Sequence, residues 1–339
     1  MNKTMRTALT AIGAWLGILL PALALVIATD TEVTDADVAT YTGADAIEIQ
    51  EGATLTFKDL SADATFQATL TGGGRFVVAS SDPTPAKRIT LDGDATGFTG
   101  SFHVTNMVFT ATKPSAVGSA RFYYSFAVAK AVDKSYLRGP GTYTCPMDIY
   151  CSSTGGYGVF LDDGVVLNAP VAYRTGRVNG PGTIAGKITI DRTIYVANSL
   201  RIAGDVELSA SAANTSSILG DGSPYVIAGP LSNVPSLLVV KTTCSFDGAN
   251  LLDSQQLMTL GGSSSKTGTY DLMGFDQCAG SFEYKQAPTT DADKAKNILT
   301  STTEPATLSL VNQNKNMDFT GVMNDHLSLS AWLERASLR

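Results

Sequence analysis

The sequence predicts an all-β chain wound as a solenoid, and three observations predict it. After residue 30 the large or β-branched residues recur with period two rather than 3.6, as in Ala53-Thr54-Leu55-Thr56-Phe57, Arg75-Phe76-Val77-Val78, Arg88-Ile89-Thr90-Leu91 and Lys187-Ile188-Thr189-Ile190. Such alternation buries one face of a strand and leaves the other wet. Most of these runs are bounded by Gly, Asn, Asp or Ser, the residues of turns. A small unit then recurs: one strand, a turn, a glycine-bearing corner and the next strand. A unit of that size hides its apolar side only by stacking on its neighbours, which makes a solenoid.

The chain has 339 residues and opens with Lys3 and Arg6 ahead of an apolar run from Ala8 to Ala28. Pro21 interrupts the run, and small residues follow at Ala22, Ala24, Val26 and Ala28. This charged, apolar, small-residue order is that of a secretory signal, with cleavage expected after Ala24 or Ala28. An uncleaved membrane anchor is the competing reading if Pro21 is ignored. The expected organisation is a signal peptide over 1–28, solenoid coils over 29–112, an irregular insertion or cap over 113–186, and further coils over 187–339 that stop inside a repeat.

Charge narrows the partners. The net charge is −7 and charged residues make up 16% of the chain, against about 25% in an average globular domain. No basic run exceeds Lys87-Arg88, so a nucleic-acid partner is not expected. Only His103 and His326 are histidines, which argues against a histidine-rich metal site, and no cofactor or metal is expected. His103, alone on a strand, reads as structural.

Four cysteines, Cys145, Cys151, Cys244 and Cys278, suit an exported chain that forms disulfides. Pairing nearest neighbours, Cys145–Cys151 and Cys244–Cys278, is one of three connectivities. A helix is expected only over 291–299, with Thr290 as its cap.

The recurring unit is clearest from Ile89 to Val104, with a shortened copy from Tyr270 to Tyr284 and a third from Leu308 to Leu329. Leu91, Gly93, Phe98-Thr99-Gly100 and Val104 carry the pattern, as do Leu308, Leu310, Phe319-Thr320-Gly321 and Leu327. These units resemble the autotransporter-associated β-strand repeat, a Leu-x-Leu strand and small turn followed by Tyr/Phe-Thr-Gly before a second strand. The resemblance implies a right-handed parallel β-helix on, or released from, a bacterial surface, followed by a C-terminal membrane barrel. The last residues here show no barrel pattern. Corner glycines Gly93, Gly100, Gly280 and Gly321 are expected at positive φ. About 20 residues per coil predicts roughly fifteen coils.

Candidate chemistry is sparse. Asp162-Asp163 is the best carboxylate pair, and β-helix polysaccharide hydrolases use neighbouring aspartates as acid and base. The His-Gly and Arg-x-Lys signatures of those enzymes are missing, and the following Gly164 makes a turn the competing reading. Asp92-Gly93-Asp94 and Gly220-Asp221-Gly222-Ser223 lack the spaced acids of a calcium loop. The run from Gly261 to Thr267 lacks the glycine spacing of a phosphate loop. Asn214-Thr215-Ser216 is a formal glycosylation sequon. The aromatic run Phe122-Tyr123-Tyr124-Ser125-Phe126 reads as a packing strand, with sugar stacking as the alternative.

The resulting expectation is an exported, non-enzymatic, passenger or adhesin-like solenoid whose lateral surface meets extracellular glycans or proteins. Its membrane contact would come only through the leader or a missing barrel. The alternatives are a secreted carbohydrate-active enzyme on the same scaffold, using Asp162 and Asp163, and a β-sandwich or jelly-roll binding module.

Overall fold

A computed structural model describes residues 24–82, 87–126, 134–151, 158–209, 217–234, 236–252, 255–261, 267–284, 289–311, 321–324 and 326–331. They form a parallel β-solenoid of about 11 turns with little helix. Every strand pairing among the described residues is parallel, which removes the sandwich alternative, since sandwich sheets are antiparallel.

A full turn contributes one strand to each of three sheets. The first sheet starts with Leu25–Ile27, Ala46–Ile49, Thr69–Gly72 and Asp94–Phe98 and resumes at Gly141–Tyr143. The short 3-10 turn Pro114–Ala116 packs between Asp94–Phe98 and Gly141–Tyr143 and takes the place of one strand. The second sheet includes Thr54–Lys58, Arg75–Ala79, Ser101–Thr105, Arg121–Phe126 and Met147–Cys151. The third includes Ala64–Phe66, Arg88–Leu91, Val108–Ala111, Ser135–Leu137 and Gly158–Leu161. Val171–Asn179 is long enough to serve the second sheet with its first half and the third with its second.

Coil length varies widely. A turn takes 26 residues from Arg75 to Ser101 and 17 from Val171 to Ile188. Corners of unequal length explain why about 11 turns form rather than the fifteen expected from a uniform repeat. The segment 113–186 is threaded into the ladder: Arg121–Phe126 pairs with Ser101–Thr105 on one side and Met147–Cys151 on the other. Where described, it is solenoid and not an insertion set beside it. Ala46 to Phe57 belongs to the second coil. In the first coil the one-turn helix Val38–Thr42 packs on Ala64–Phe66, the first strand of the third sheet, and Tyr41 meets Phe57 edge-on at 6.0 Å. The helix expected over 291–299 is one turn long, Asp291–Lys294; Thr290 caps it by accepting the Asp293 N–H at 3.1 Å. Asn297–Thr300 is already a strand.

The interior is filled by columns of side chains in register. Leu55, Phe76, Phe102, Phe122, Met147, Val171 and Ile188 form one column of the second sheet. The Phe76–Phe102 and Phe102–Phe122 ring centroids lie 5.5 and 5.6 Å apart, close to the ~4.8 Å rung spacing of a sheet. Phe66, Phe98 and Phe109 pack against this column from the other two sheets.

Two devices join coil to coil at the corners. In the first, one carbonyl accepts two successive N–H groups from the coil above. Leu167 O takes Ala185 and Gly186, Ile184 O takes Ala203 and Gly204, and Ile202 O takes Ala228 and Gly229. Phe66 O takes Asp92 and Gly93 in the same way. The glycine is needed because a Cβ on Gly186, Gly204 or Gly229 would lie 1.9 to 2.3 Å from a carbonyl oxygen of the coil below. Gly93 and Gly100 obey the same rule, with Ala68 O and Gly74 O at 2.1 and 1.8 Å from the added Cβ. Their φ values are not positive, so close approach, not a left-handed backbone, selects glycine there.

The second device is a carboxylate that accepts an N–H from the next coil: Asp30 from Thr54, Asp35 from Ser61, Asp63 from Arg88 and Asp276 from Thr307, at 2.6 to 2.9 Å. Asp59 accepts both the N–H and the hydroxyl of Ser81 at 2.6 and 2.8 Å. The backbone and then hydroxyl bonds of Ser61 and Ser81 hold the Asp35 and Asp59 carboxyls below their ordinary value, and the Thr112 hydroxyl does the same for Asp92. A lowered folded pKa contributes stability above the unfolded value of about 3.9, lost as pH falls through the lower folded value. Melting temperature should therefore fall as the buffer is taken below about pH 4. That fall should be smaller in Asp59→Asn; an identical acid profile in the variant would exclude Asp59 as a contributor.

In the second sheet the strand ladder lapses between Leu231–Ser232 and Gln277–Ala279. The buried Gln277 side chain bridges the lapse, accepting the Leu251 N–H at 3.0 Å and donating to Gly248 O at 2.6 Å.

Candidate functional site

Alternation fixes which side chains leave the solenoid. On the third sheet one outward column runs Thr65, Thr90, Thr110, Tyr136, Phe160 and Asn179. The position at the preceding corner carries Arg88, Lys134 and, above Gly158, Arg177 and Tyr195, whereas Val108 in the same register is buried. Arg138 stands at the following corner, two residues beyond Tyr136. Tyr136 thus lies between cations on both sides, and Phe160, one coil above, has Lys134 on one side and Asp162 at its following corner.

The distances bear this out. Tyr136 and Phe160 are half-buried, with centroids 5.4 Å apart. Arg138 lies 4.3 Å and Arg88 5.5 Å from the Tyr136 ring, Lys134 lies 4.9 Å from Phe160, and Arg177 lies 5.5 Å from Tyr195. A cation over a ring face is held by the ring quadrupole and keeps its charge. Arg88 is fixed further by donating to Thr110 Oγ1 at 2.8 Å and Lys134 O at 3.1 Å.

Asp162 and Asp163 border this face. Val165 N–H donates to Asp162 O at 3.2 Å, which closes a turn with Asp163 and Gly164 (φ +75°) at its centre. Asp162 Oδ2 lies 3.8 Å from Arg138 Nε. Burial raises the Asp162 carboxyl and Arg138 opposes the rise. The pair occupies a corner turn.

The second sheet carries a smaller cluster. His103 stacks on Tyr123 at 4.4 Å and shares a hydrogen bond with Ser101 at 2.9 Å. Arg121 covers Tyr123 at 5.3 Å and pairs with Asp148 at 2.8 Å. Burial, and then the Arg75 charge, hold the His103 imidazole below its ordinary value. Phe122, Tyr124 and Phe126 point inward and are buried, so the aromatic run is a packing strand with Tyr123 as its one outward ring. A cleft of about 370 Å³ at the corner between first and second sheets is lined by Asp30, Gly52, Ala53, Thr54, Gly73, Gly74 and Arg75. Its one carboxylate is already engaged by Thr54 N–H.

The cysteines correct the disulfide expectation: none of the four is in a disulfide. Cys151 ends the strand Met147–Cys151, and Cys145 lies two residues before it. Five extended residues at ~3.3 Å each carry the two Cα atoms far beyond the ~7 Å limit of a disulfide. Cys244 points into the core, whereas Cys278 alternates outward between buried Gln277 and Ala279. Burial pushes the Cys145, Cys151 and Cys244 thiols up to about 12, which leaves them unreactive.

Among the described residues no group of three or more His, Cys, Asp or Glu converges as metal ligands, and no helix is long and apolar enough to cross a membrane. Asp92 accepts from Thr112 and Asp94 from Thr96, so both act as turn acceptors. Gly100, Gly280 and Gly321 precede strands of the second, third and first sheets in turn. The glycine corners therefore do not mark one edge of the solenoid. Phe319, Thr320, the sequon and most of the run from Gly261 to Thr267 lie outside the described residues.

Fold and surface together define a parallel β-solenoid with an aromatic and cationic outer face. No protein family, curated protein or solved structure matches the chain.

Proposed function

We propose that this chain is an exported surface or secreted solenoid, passenger- or adhesin-like and non-enzymatic, that works through its lateral face. The observation that carries the reading is the pair of outward rings, Tyr136 and Phe160, set among Arg88, Lys134 and Arg138 on a stacked ladder. Tyrosine and phenylalanine are rigid and offer contact area at low conformational-entropy cost, the usual equipment of a binding surface. The leader and the Phe98-Thr99-Gly100 unit support export and a right-handed winding like that of autotransporter passengers.

The two candidate cleavage points differ in their structural consequence. Leu25–Ile27 pairs with Ala46–Ile49 and buries Ile27. Cleavage after Ala28 would remove this strand, and cleavage after Ala24 keeps it. Expressed in a Gram-negative host, the protein should leave the cytoplasm and begin at Leu25 by N-terminal mass spectrometry. A cytoplasmic protein with an intact leader would overturn export, and a start at Thr29 would show that the first strand is dispensable.

A further inference from the structure

We infer that the outer face of the third sheet binds an acidic polysaccharide, laid along the solenoid axis. The inference rests on the lateral-surface reading above and names its ligand class. Three features of the face point to a chain of sugar acids.

The first is the order of chemistry across the sheet. Arg88 and Lys134 stand at one corner, Tyr136 and Phe160 in the middle column, and Arg138 at the other corner. A neutral glycan would use the rings alone, and a plain polyanion would use the cations alone. Tyr136 flanked by cations on both sides, with Phe160 beside Lys134, suits a ligand with an apolar sugar face and carboxylates at its margins.

The second is spacing. Successive rungs are ~4.8 Å apart and the two centroids 5.4 Å, so neighbouring rings can meet neighbouring sugars of an extended chain. A strand ladder repeats its surface along the axis, as a polymer repeats its units.

The third is charge. The protein is acidic, with a net charge of −7, yet this face gathers Arg88, Lys134, Arg138 and Arg177. The carboxylates at its margins are engaged: Asp63 accepts the Arg88 N–H, Asp92 accepts the Thr112 hydroxyl, and Asp162 lies 3.8 Å from Arg138 at the turn that also carries Asp163. Positive charge retained over rings and partly shielded from water attracts carboxylates more strongly than a freely solvated lysine would.

The test uses the full chain in native gels cast with polygalacturonate, neutral dextran or polyphosphate. Polygalacturonate should retard the protein, less so as salt is raised, and more strongly than either other polymer. Tyr136→Ala with Phe160→Ala, and separately Lys134→Gln with Arg138→Gln, should each weaken retardation tenfold or more. Tyr123→Ala on the second sheet should leave it unchanged, and Asp162→Asn should strengthen it. Equal retardation by polyphosphate, insensitive to the ring variants, would overturn the inference by reducing the face to charge alone. Failure of polygalacturonate to retard the wild-type protein would also overturn it. If dextran alone retards the protein and the ring variants abolish that, the lateral-surface reading stands while the acidic ligand falls.

Discussion

Gly204→Ala is expected to destabilise the solenoid by about 3 kcal/mol or more, at or beyond the upper end of ordinary overpacking. Gly204 is the middle member of three stacked corners, Ile184-Ala185-Gly186, Ile202-Ala203-Gly204 and Ile227-Ala228-Gly229. An added Cβ would lie 1.9 Å from Gly186 O, 2.6 Å from Gly186 C and 2.8 Å from Ala185 O. All three are backbone atoms of the coil below, so no side chain can swing aside. Relief requires the coils to separate, which loses the two N–H bonds to Ile184 O. Gly222→Ala is the control: its φ is +78° but nothing lies within 4 Å of the added Cβ, so only the left-handed backbone penalty of about 1–2 kcal/mol applies. Denaturation midpoints of the two variants separate the effects. A Gly204 variant no worse than Gly222→Ala would mean the coils do not touch there.

Phe102→Ala is expected to cost about 3–5 kcal/mol, the usual range for a buried phenylalanine. Phe102 is 1% exposed and lies between Phe76 and Phe122 in its column, with Phe98 at 5.2 Å from the first sheet. Removing the ring takes contacts from three coils at once, and the rigid backbone ladder on either side prevents collapse into the gap. Tyr123→Ala, one residue past the next ring in the column and on the outside, should cost far less. Similar losses from the inner and outer substitutions would contradict the assigned facing.

Much of this fold is legible in the sequence because period-two alternation depends only on which face meets the core. Arg75–Ala79, Arg88–Leu91 and Ile188–Ile190 are strands where alternation places them. Stacking follows, since so small a unit has no other means of burial. What the pattern does not carry is the identity of each face. A strand flanked by a glycine corner satisfies the motif on any of the three sheets, so Phe98-Thr99-Gly100 and the corner at Gly280 look alike in sequence while serving different edges. Repeat length is hidden for the same reason, because corners absorb insertions without disturbing register.

The Ile-Ala-Gly repeat was open to inspection, at residues 184, 202 and 227, but its unequal spacing masks it from a fixed-period search. The cysteines mislead because an even count says nothing about facing, and one extended strand suffices to part Cys145 from Cys151. The candidate site is hidden most thoroughly. Arg88, Lys134, Tyr136, Arg138 and Phe160 are spread over more than 70 residues and become neighbours only through the register of four coils. The one available signal is alternation itself, which puts Tyr136 outside between buried Ser135 and Leu137.

Register on the third sheet can be read directly by cross-linking. Thr65 and Thr90 are outward partners on adjacent coils, and the ~4.8 Å rung spacing lies within disulfide range. In a Cys278→Ser background, Thr65→Cys with Thr90→Cys should form a bond under mild oxidation of the folded protein. Thr65→Cys with Thr110→Cys, two coils apart, should not. The adjacent pair staying reduced, or the distant pair closing as readily, would contradict a parallel, in-register stack.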